Sequence, residues 1–169
     1  FSWEEAHPEE RDLIRTDPIA VQSCMHETIR LEPSSPVAMR WVLEDTELRS
    51  GRKLPRGAKV VIDLTSVNRD PEVFGSDAGE FNPHRELADG VSPWGLSFGN
   101  GMHACIGQDL AGGLPFEQGD VLEEHLHGLV PVAVQWMLNH GARPDPDSPP
   151  EMDTTTARPY WGRYPVVFA

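Results

Sequence analysis

The sequence predicts an α+β fold, mainly α with small β-sheets, and three patterns support that class. A buried helix is predicted over about 17–32, because Asp17 suits its N-cap, Pro18 suits its first turn, and the following apolar positions fill one face. β hairpins are predicted over about 37–62, where short alternating segments are separated by Gly- and Pro-rich turns. A meander and a cysteine loop are predicted over about 70–105, since Gly, Pro, Asn and Asp are frequent there.

The C-terminal part of the chain predicts a broken helix followed by a loop and a strand. An interrupted helix is expected over about 105–139, because glycine and proline within 112–115 break the pattern, and a second helical stretch is expected from about residue 119. Residues 142–169 are expected to form a proline-rich loop, up to about residue 159, and a final strand. Residues 1–169 together predict part of a single domain.

Charge and composition narrow the functional classes. The 169 residues carry 27 acidic and 14 basic side chains, a formal net charge of −13, which argues against nucleic acid and anionic membrane surfaces as partners. No apolar run is long enough to span a bilayer. The chain begins without an initiator methionine or a leader-like segment, so we expect it to start within a longer protein or after processing. Two cysteines do not make a disulfide framework, which favours a reducing, cytoplasmic compartment.

The stretch 97–107 presents one cysteine, Cys105, on a glycine-rich loop. Glycines let the backbone pass close to a flat macrocycle and turn amides towards the sulfur, which suits a thiolate ligand to a haem iron. The alternative of an inert core cysteine suits Cys24, but at Cys105 it explains neither the surrounding glycines nor Phe98. Zinc is the rival metal, but His103 and Cys105 alone supply too few ligands.

Glu27 and Arg30 lie three residues apart on the predicted helix, so they share a face and can pair. The alternative is an ordinary surface ion pair, which contributes little to stability. Their apolar neighbours place the pair at least partly inside, and a buried pair needs further partners to offset its desolvation. Arg85 is the candidate third member of this cluster.

Taken together, these segments resemble the C-terminal part of cytochromes P450. The loop reads Phe-Gly-x-Gly-x-His-x-Cys-x-Gly, as in the family's cysteine-ligand loop. Glu27 and Arg30 match the Glu-x-x-Arg motif of helix K, and Arg85 matches the arginine of the Phe-x-Pro-x-Arg segment. Residues 31–36 and 68–74 also look like family segments, in the family order. The resemblance implies the portion of the P450 fold from the helix J/K region to the C-terminus, without the helix I region.

The resemblance implies haem b as the cofactor, with Cys105 as the axial thiolate ligand of its iron. In the family, the position of His103 hydrogen-bonds a haem propionate and Arg40 matches a second propionate-binding position, although a solvated strand arginine is the alternative for Arg40. Phe98 is expected to pack near the sulfur and shield it from water. The implied structural network is Glu27, Arg30 and Arg85, and the implied cofactor-binding residues are Arg40, Phe98, Gly99, His103, Cys105 and Gly107.

The family function implied is a haem-thiolate monooxygenase that oxidises a small organic substrate with O₂ and electrons from a ferredoxin or flavoprotein. A peroxide-using peroxygenase and a non-catalytic P450-like partner protein are the alternatives. The partner protein is the less favoured of the two, because such homologues tend to lose the cysteine ligand and Cys105 is present. The distal pocket and helix I would lie on the N-terminal P450 portion missing from this chain, so this chain alone is expected to bind haem weakly or not at all. The acidic stretch after residue 112 indicates either an altered surface for the electron donor or a solvated loop.

Overall fold

A computed structural model describes residues 1–117, 119–155 and 160–168 of the chain. It confirms a mixed fold of helices and small sheets: within these residues, every sheet is an antiparallel pair of strands, in the pairs β1–β4, β2–β3, β5–β8 and β6–β7. The helices are α1 (Ser2–Ala6), α2 (Arg11–Thr16), α3 (Pro18–Leu31), α4 (Leu64–Val67), α5 (Pro71–Phe74), α6 (Gln108–Gly112) and α7 (Leu129–Asn139). The strands are β1 (Val37–Trp41), β2 (Thr46–Glu47), β3 (Lys53–Leu54), β4 (Lys59–Asp63), β5 (Ala142–Pro144), β6 (Glu151–Asp153), β7 (Tyr160–Arg163) and β8 (Val166–Phe168).

The chain divides into two compact units, of which one comprises Ser23–Asp109. This unit contains the C-terminal part of α3, the sheets of β1–β4, the meander and the cysteine loop. α3 starts where the sequence indicates, because Asp17 Oδ1 accepts a hydrogen bond from the amide of Ile19 (2.9 Å), and it ends before Pro33. The buried apolar side chains of this unit are Leu31, Leu64, Phe74, Ala78 and Trp94.

The other unit comprises Phe1–Gln22 and Leu110–Ala169. Its N-terminal helices are tied to the last turn of α7 through Arg15, whose guanidinium pairs with the buried Glu4 (2.8 Å) and donates to the carbonyl of Leu138 (3.1 Å). Its buried apolar side chains are Ile14, Val21, Leu138 and Ala142. Among the described residues, the structure contains no helix that combines the length and the apolar character needed to cross a membrane.

The second helical stretch, expected from about 119 to 139, is wrong in its first half. α7 begins only at Leu129, and the preceding segment contains a single 3-10 turn at Leu122–Glu124. The cause is a tertiary contact: Gly128 has a φ of +81°, and a Cβ atom there would lie 2.3 Å from the amide nitrogen of Gly113. Only glycine fits this close crossing of two backbone segments, so the helix starts after it.

The C-terminal loop expected up to residue 159 is also wrong in part. Two short strands lie within it, β5 and β6, which pair with β8 and β7. Pro144 ends β5, a position where its missing N–H leaves the ladder undisturbed. The remainder of that expectation, at 156–159, lies outside the described residues.

Candidate cofactor site

Glu27 and Arg30 form a buried, two-bonded ion pair on one face of α3. Arg30 Nε lies 2.6 Å from Glu27 Oε2, and Arg30 Nη2 lies 2.6 Å from Glu27 Oε1. The Arg30 side chain is 0 % exposed and that of Glu27 is 4 % exposed. This parallel arrangement of donors and acceptors is the strong geometry for an arginine–carboxylate pair.

Arg30 has further partners that compensate for its burial. Its Nη1 donates to the backbone carbonyls of Asn68 (2.5 Å) and Ala78 (2.8 Å), and its guanidinium lies 4.9 Å from the centroid of the Phe74 ring. A buried ion pair is stable only where additional hydrogen bonds satisfy the remaining donors. These contacts attach the meander to the end of α3.

Arg85 joins this pair, so the structure brings together the three side chains of the expected network. Its Nη2 lies 3.2 Å from Glu27 Oε1, its Nη1 lies 2.6 Å from Asp77 Oδ1, and it also donates to the carbonyl of Phe74. Burial alone would lower the pKa of Arg85, but the hydrogen bonds to Asp77 and Glu27 outweigh it and hold the pKa above its ordinary value.

Asp77 is a member of this cluster that sequence reasoning missed. Its pKa lies below the ordinary value because the side chains of Asn82 and Arg85 donate hydrogen bonds to its carboxylate. The signal for it was weak, since an aspartate in a Gly- and Asp-rich loop is usually read as a turn residue. The second residue missed is Asn68, which is fully buried.

Cys105 presents an exposed, free thiol at the end of a tightly turned loop. Its amide donates to the carbonyl of Phe98 (2.7 Å), which closes the loop across seven residues of chain. Gly99 has a φ of +74°, and a Cβ there would lie 3.0 Å from the carbonyl of His103, so the turn requires a glycine. His103 ends a 3-10 turn that starts at Gly101, and its side chain is exposed.

The aromatic ring of the cysteine loop lies against other aromatic side chains. The ring of Phe98 packs edge-on against the buried ring of Trp94, with 5.5 Å between the ring centroids, and Trp94 in turn contacts His26. Gly107 lies beside the sulfur: a Cβ atom at Gly107 would be 3.8 Å from Cys105 Sγ. The missing side chain therefore keeps the space next to the thiol open.

Comparison with known proteins assigns this arrangement to a family. The family model described as "Cytochrome P450" matches residues 19–112, more than half of the chain. The chain belongs to the cytochrome P450 family. The matched segment includes α3 except its first residue, the meander, and the loop that carries Cys105.

Individual P450 proteins match parts of the chain in sequence. Cytochrome P450-terp from a Pseudomonas species is 36 % identical over 109 residues, which covers 62 % of this chain and 23 % of that protein. The bifunctional cytochrome P450/NADPH–P450 reductase ascE of Acremonium egyptiacum is 30 % identical over 128 residues, covering 64 % of this chain and 12 % of that protein. The chain thus spans about a fifth of the length of the curated relatives it matches, or less.

A solved P450 structure matches nearly the whole chain in fold. Substrate-free CYP109E1 from Bacillus megaterium aligns with 99 % of this chain and 38 % of its own, with a TM-score of 0.69 and 20 % identity. The similarity therefore extends beyond residue 112 and includes the broken helix and the C-terminal strands. At this identity it shows the fold alone.

The remaining expected P450 site residue, Arg40, does not take part in the buried network. It lies on β1 opposite Val60 of β4, is exposed, and donates from Nη1 to the carbonyl of Met39 (2.8 Å). Its guanidinium therefore lies in solvent, as does the side chain of His103. Both side chains are accessible to an anionic group.

The residues present fit the haem that membership of the P450 family implies. The thiol of Cys105 is exposed and makes no disulfide, so its sulfur is available as a soft ligand. The apolar neighbours on its loop are also in the open, with Met102 93 % exposed and Ile106 fully exposed. Exposed apolar side chains around a free thiol are the surroundings that a flat apolar macrocycle would cover.

Proposed function

We propose that this chain is the haem-binding C-terminal part of a P450 monooxygenase that oxidises a small organic substrate with O₂. The observation that carries the proposal is the exposed thiol of Cys105 on a loop whose family pattern continues into the buried Glu27–Arg30–Arg85 network. The substrate-binding and distal parts would come from the N-terminal P450 portion, since the chain covers only about two fifths of the solved structures.

Each site residue has a role that follows from its chemistry. Cys105 would bind the iron of haem b as a thiolate, and the bound group supplies oxygen activation with an electron-rich iron. His103 and Arg40 would donate charge-assisted hydrogen bonds to the propionates. Gly99 and Gly107 would let the backbone approach the macrocycle, and Phe98 would limit the access of water to the sulfur.

The electron donor we propose is a ferredoxin or a flavoprotein. The printed name of the ascE relative joins a P450 to an NADPH–P450 reductase in one protein, which supports a flavoprotein of that class as one option. A cytoplasmic compartment, where such donors and reduced thiols occur, fits Cys24 and Cys105, neither of which forms a disulfide.

The test is the absorption spectrum of the reduced, CO-treated protein, produced together with its N-terminal P450 portion. We expect a thiolate-type Soret band that is lost in Cys105→Ser and retained in Cys24→Ser, which is the matched control. A band that survives Cys105→Ser would contradict the proposal. Turnover with peroxide and no electron donor would favour the peroxygenase over the monooxygenase as the function. This chain alone is expected to bind haem weakly or not at all, and a stoichiometric complex in a haem titration would refute that expectation.

The acidic segment after α6 is proposed to alter the surface that the electron donor contacts. Glu117, Asp120, Glu123 and Glu124 are all exposed, so they present negative charge where a partner could approach. Neutralising the four carboxylates by Glu117→Gln, Asp120→Asn, Glu123→Gln and Glu124→Gln should change the rate of reduction by a ferredoxin at low ionic strength. An unchanged rate would identify the segment as an ordinary solvated loop.

A further inference from the structure

Asn68 is fully buried, and both donors and the acceptor of its side chain are used. Nδ2 donates to the carbonyl of Arg30 (2.9 Å) and to Ser97 Oγ (2.9 Å), and Oδ1 accepts from the amide of Leu96 (2.8 Å). Ser97 Oγ donates in turn to the carbonyl of Ile29 (2.6 Å). The last carbonyls of a helix have no partner within it, so Asn68 and Ser97 satisfy two of those of α3.

The same asparagine is bonded to the buried ion-pair network through its backbone. Arg30 Nη1 donates to the carbonyl of Asn68 (2.5 Å), while the Asn68 side chain donates to the carbonyl of Arg30. The residue after Ser97 is Phe98, whose carbonyl accepts the amide of Cys105 (2.7 Å). A path therefore runs from the guanidinium of Arg30 through Asn68 to the cysteine loop, made of hydrogen bonds and the covalent link between Ser97 and Phe98.

The packing around Asn68 is also specific. A Cβ atom at Gly95 would lie 2.4 Å from Asn68 Oδ1 and 2.8 Å from its Cγ, which no side chain could tolerate without displacing the amide. The absence of a side chain at residue 95 thus permits the approach that brings the amide of Leu96 onto Asn68. This steric observation is independent of the hydrogen bonds.

We propose that Asn68 is the positioning residue that fixes the Cys105 loop relative to α3. It acts through Leu96 and Ser97, and it contacts no reacting atom. That Asn68 thereby positions a haem ligand rests on the proposed function, whereas its effect on the conformation of the loop does not. Loss of its side chain removes three hydrogen bonds on the path to the loop and leaves the buried carbonyl of Arg30 and the amide of Leu96 without these partners.

The first test needs no haem: amide hydrogen exchange in Asn68→Ala, read at Leu96 and at Cys105. The matched control is Gln22→Ala, which removes a different buried side-chain amide. Gln22 lies on α3 and donates to the carbonyls of Gly112 (3.0 Å) and Leu114 (2.9 Å), within the unit of Phe1–Gln22 and Leu110–Ala169. We expect exchange at Leu96 and Cys105 to become at least about tenfold faster in Asn68→Ala and not in Gln22→Ala. Equal changes in both variants, or none, would overturn the proposal.

Two further measurements test the same proposal. If Asn68→Ala does not fold, Ser97→Ala removes one of the three hydrogen bonds of the Asn68 side chain, together with the bond from Ser97 Oγ to the carbonyl of Ile29. It should accelerate the same two amides less, whereas unchanged exchange there would overturn the proposal. In the haem-loaded protein, the thiolate-type fraction of the CO spectrum should fall in Asn68→Ala and not in Gln22→Ala; an unchanged fraction would also overturn it. A wild-type protein without that spectrum contradicts the proposed function, and the exchange experiment still decides on Asn68.

Discussion

Replacing Arg30 by methionine should severely destabilise the protein, because Arg30 is the most highly bonded buried side chain of the network. Methionine keeps much of the volume but removes both bonds to Glu27 and the donors to the carbonyls of Asn68 and Ala78. Glu27 then remains buried with a single cationic partner, Arg85, 3.2 Å away. The substitution therefore leaves one carboxylate half-compensated and two buried carbonyls without their donor.

The magnitude follows from these losses. Removing one partner of a buried ion pair costs about 3–5 kcal/mol, and each buried carbonyl that loses its donor adds about 1–3 kcal/mol. The contributions share one side chain and do not add fully, and Arg85 compensates part of the charge, so we expect about 3–5 kcal/mol in total. A domain is stable by about 5–15 kcal/mol, so the loss is a large fraction of the whole.

The assay is equilibrium unfolding in urea, with Arg69→Met as the matched control. Arg69 forms an ion pair with Glu32 at 3.2 Å, but these side chains are 29 % and 62 % exposed, so the control should lose no more than about 1 kcal/mol. An Arg30→Met protein that is already unfolded without urea also meets the prediction. If the two variants are equally stable to within about 1 kcal/mol, the account of the buried network is refuted.

The other predictions concern the unit of Phe1–Gln22 and Leu110–Ala169. Gly128→Ala places a Cβ 2.3 Å from the amide nitrogen of Gly113 and should lower the free energy of unfolding by more than about 2 kcal/mol. The control is Gly57→Ala, where φ is +82° and nothing lies within 4 Å of the added Cβ, and it should lower that free energy by about 1 kcal/mol. Similar losses for the two variants in urea unfolding would contradict the steric account. Burial, and then the charge of His125, lower the pKa of His127 below its ordinary value of 6.5. The unfolded chain therefore binds more protons than the folded one between the two pKa values. The neutral His127 side chain contributes to the free energy of unfolding in full above pH 6.5, and this contribution is lost as the pH falls through the folded pKa. The free energy of unfolding should therefore fall less steeply below pH 6.5 in His127→Gln than in the wild type. Equal slopes in the two proteins would contradict the lowered pKa of His127.

The parts of the network that were predictable are those with a local or motif signal. Glu27 and Arg30 share a helix face because they are three residues apart, and Arg85 stands in a recognisable segment. Asp77 carries no such signal, and the family-like segment 68–74 does not indicate what the side chain of Asn68 contacts. The partners of the Asn68 side chain lie 28 to 38 residues away and those of Asp77 lie 5 and 8 residues away, across loops whose path no periodicity indicates.

The fold class was also predictable from local patterns. The errors in the C-terminal part arose where the structure depends on tertiary contacts or on strands too short to leave a pattern. Strands such as β5 and β6 are three residues long, which is too short for an alternating pattern to mark them. The start of α7 depends on the contact between Gly128 and Gly113, which is set by tertiary packing. Apolar periodicity continues across Gly128, so the sequence pattern extends the helix too far towards its N-terminus.

X-ray absorption at the iron edge of the haem-loaded protein tests the central claim, that Cys105 is the ligand of the haem iron. The account predicts one sulfur atom bound to iron in the wild type and in Cys24→Ser, and only lighter ligands in Cys105→Ser. A sulfur signal that persists in Cys105→Ser, or that disappears in Cys24→Ser, would contradict it.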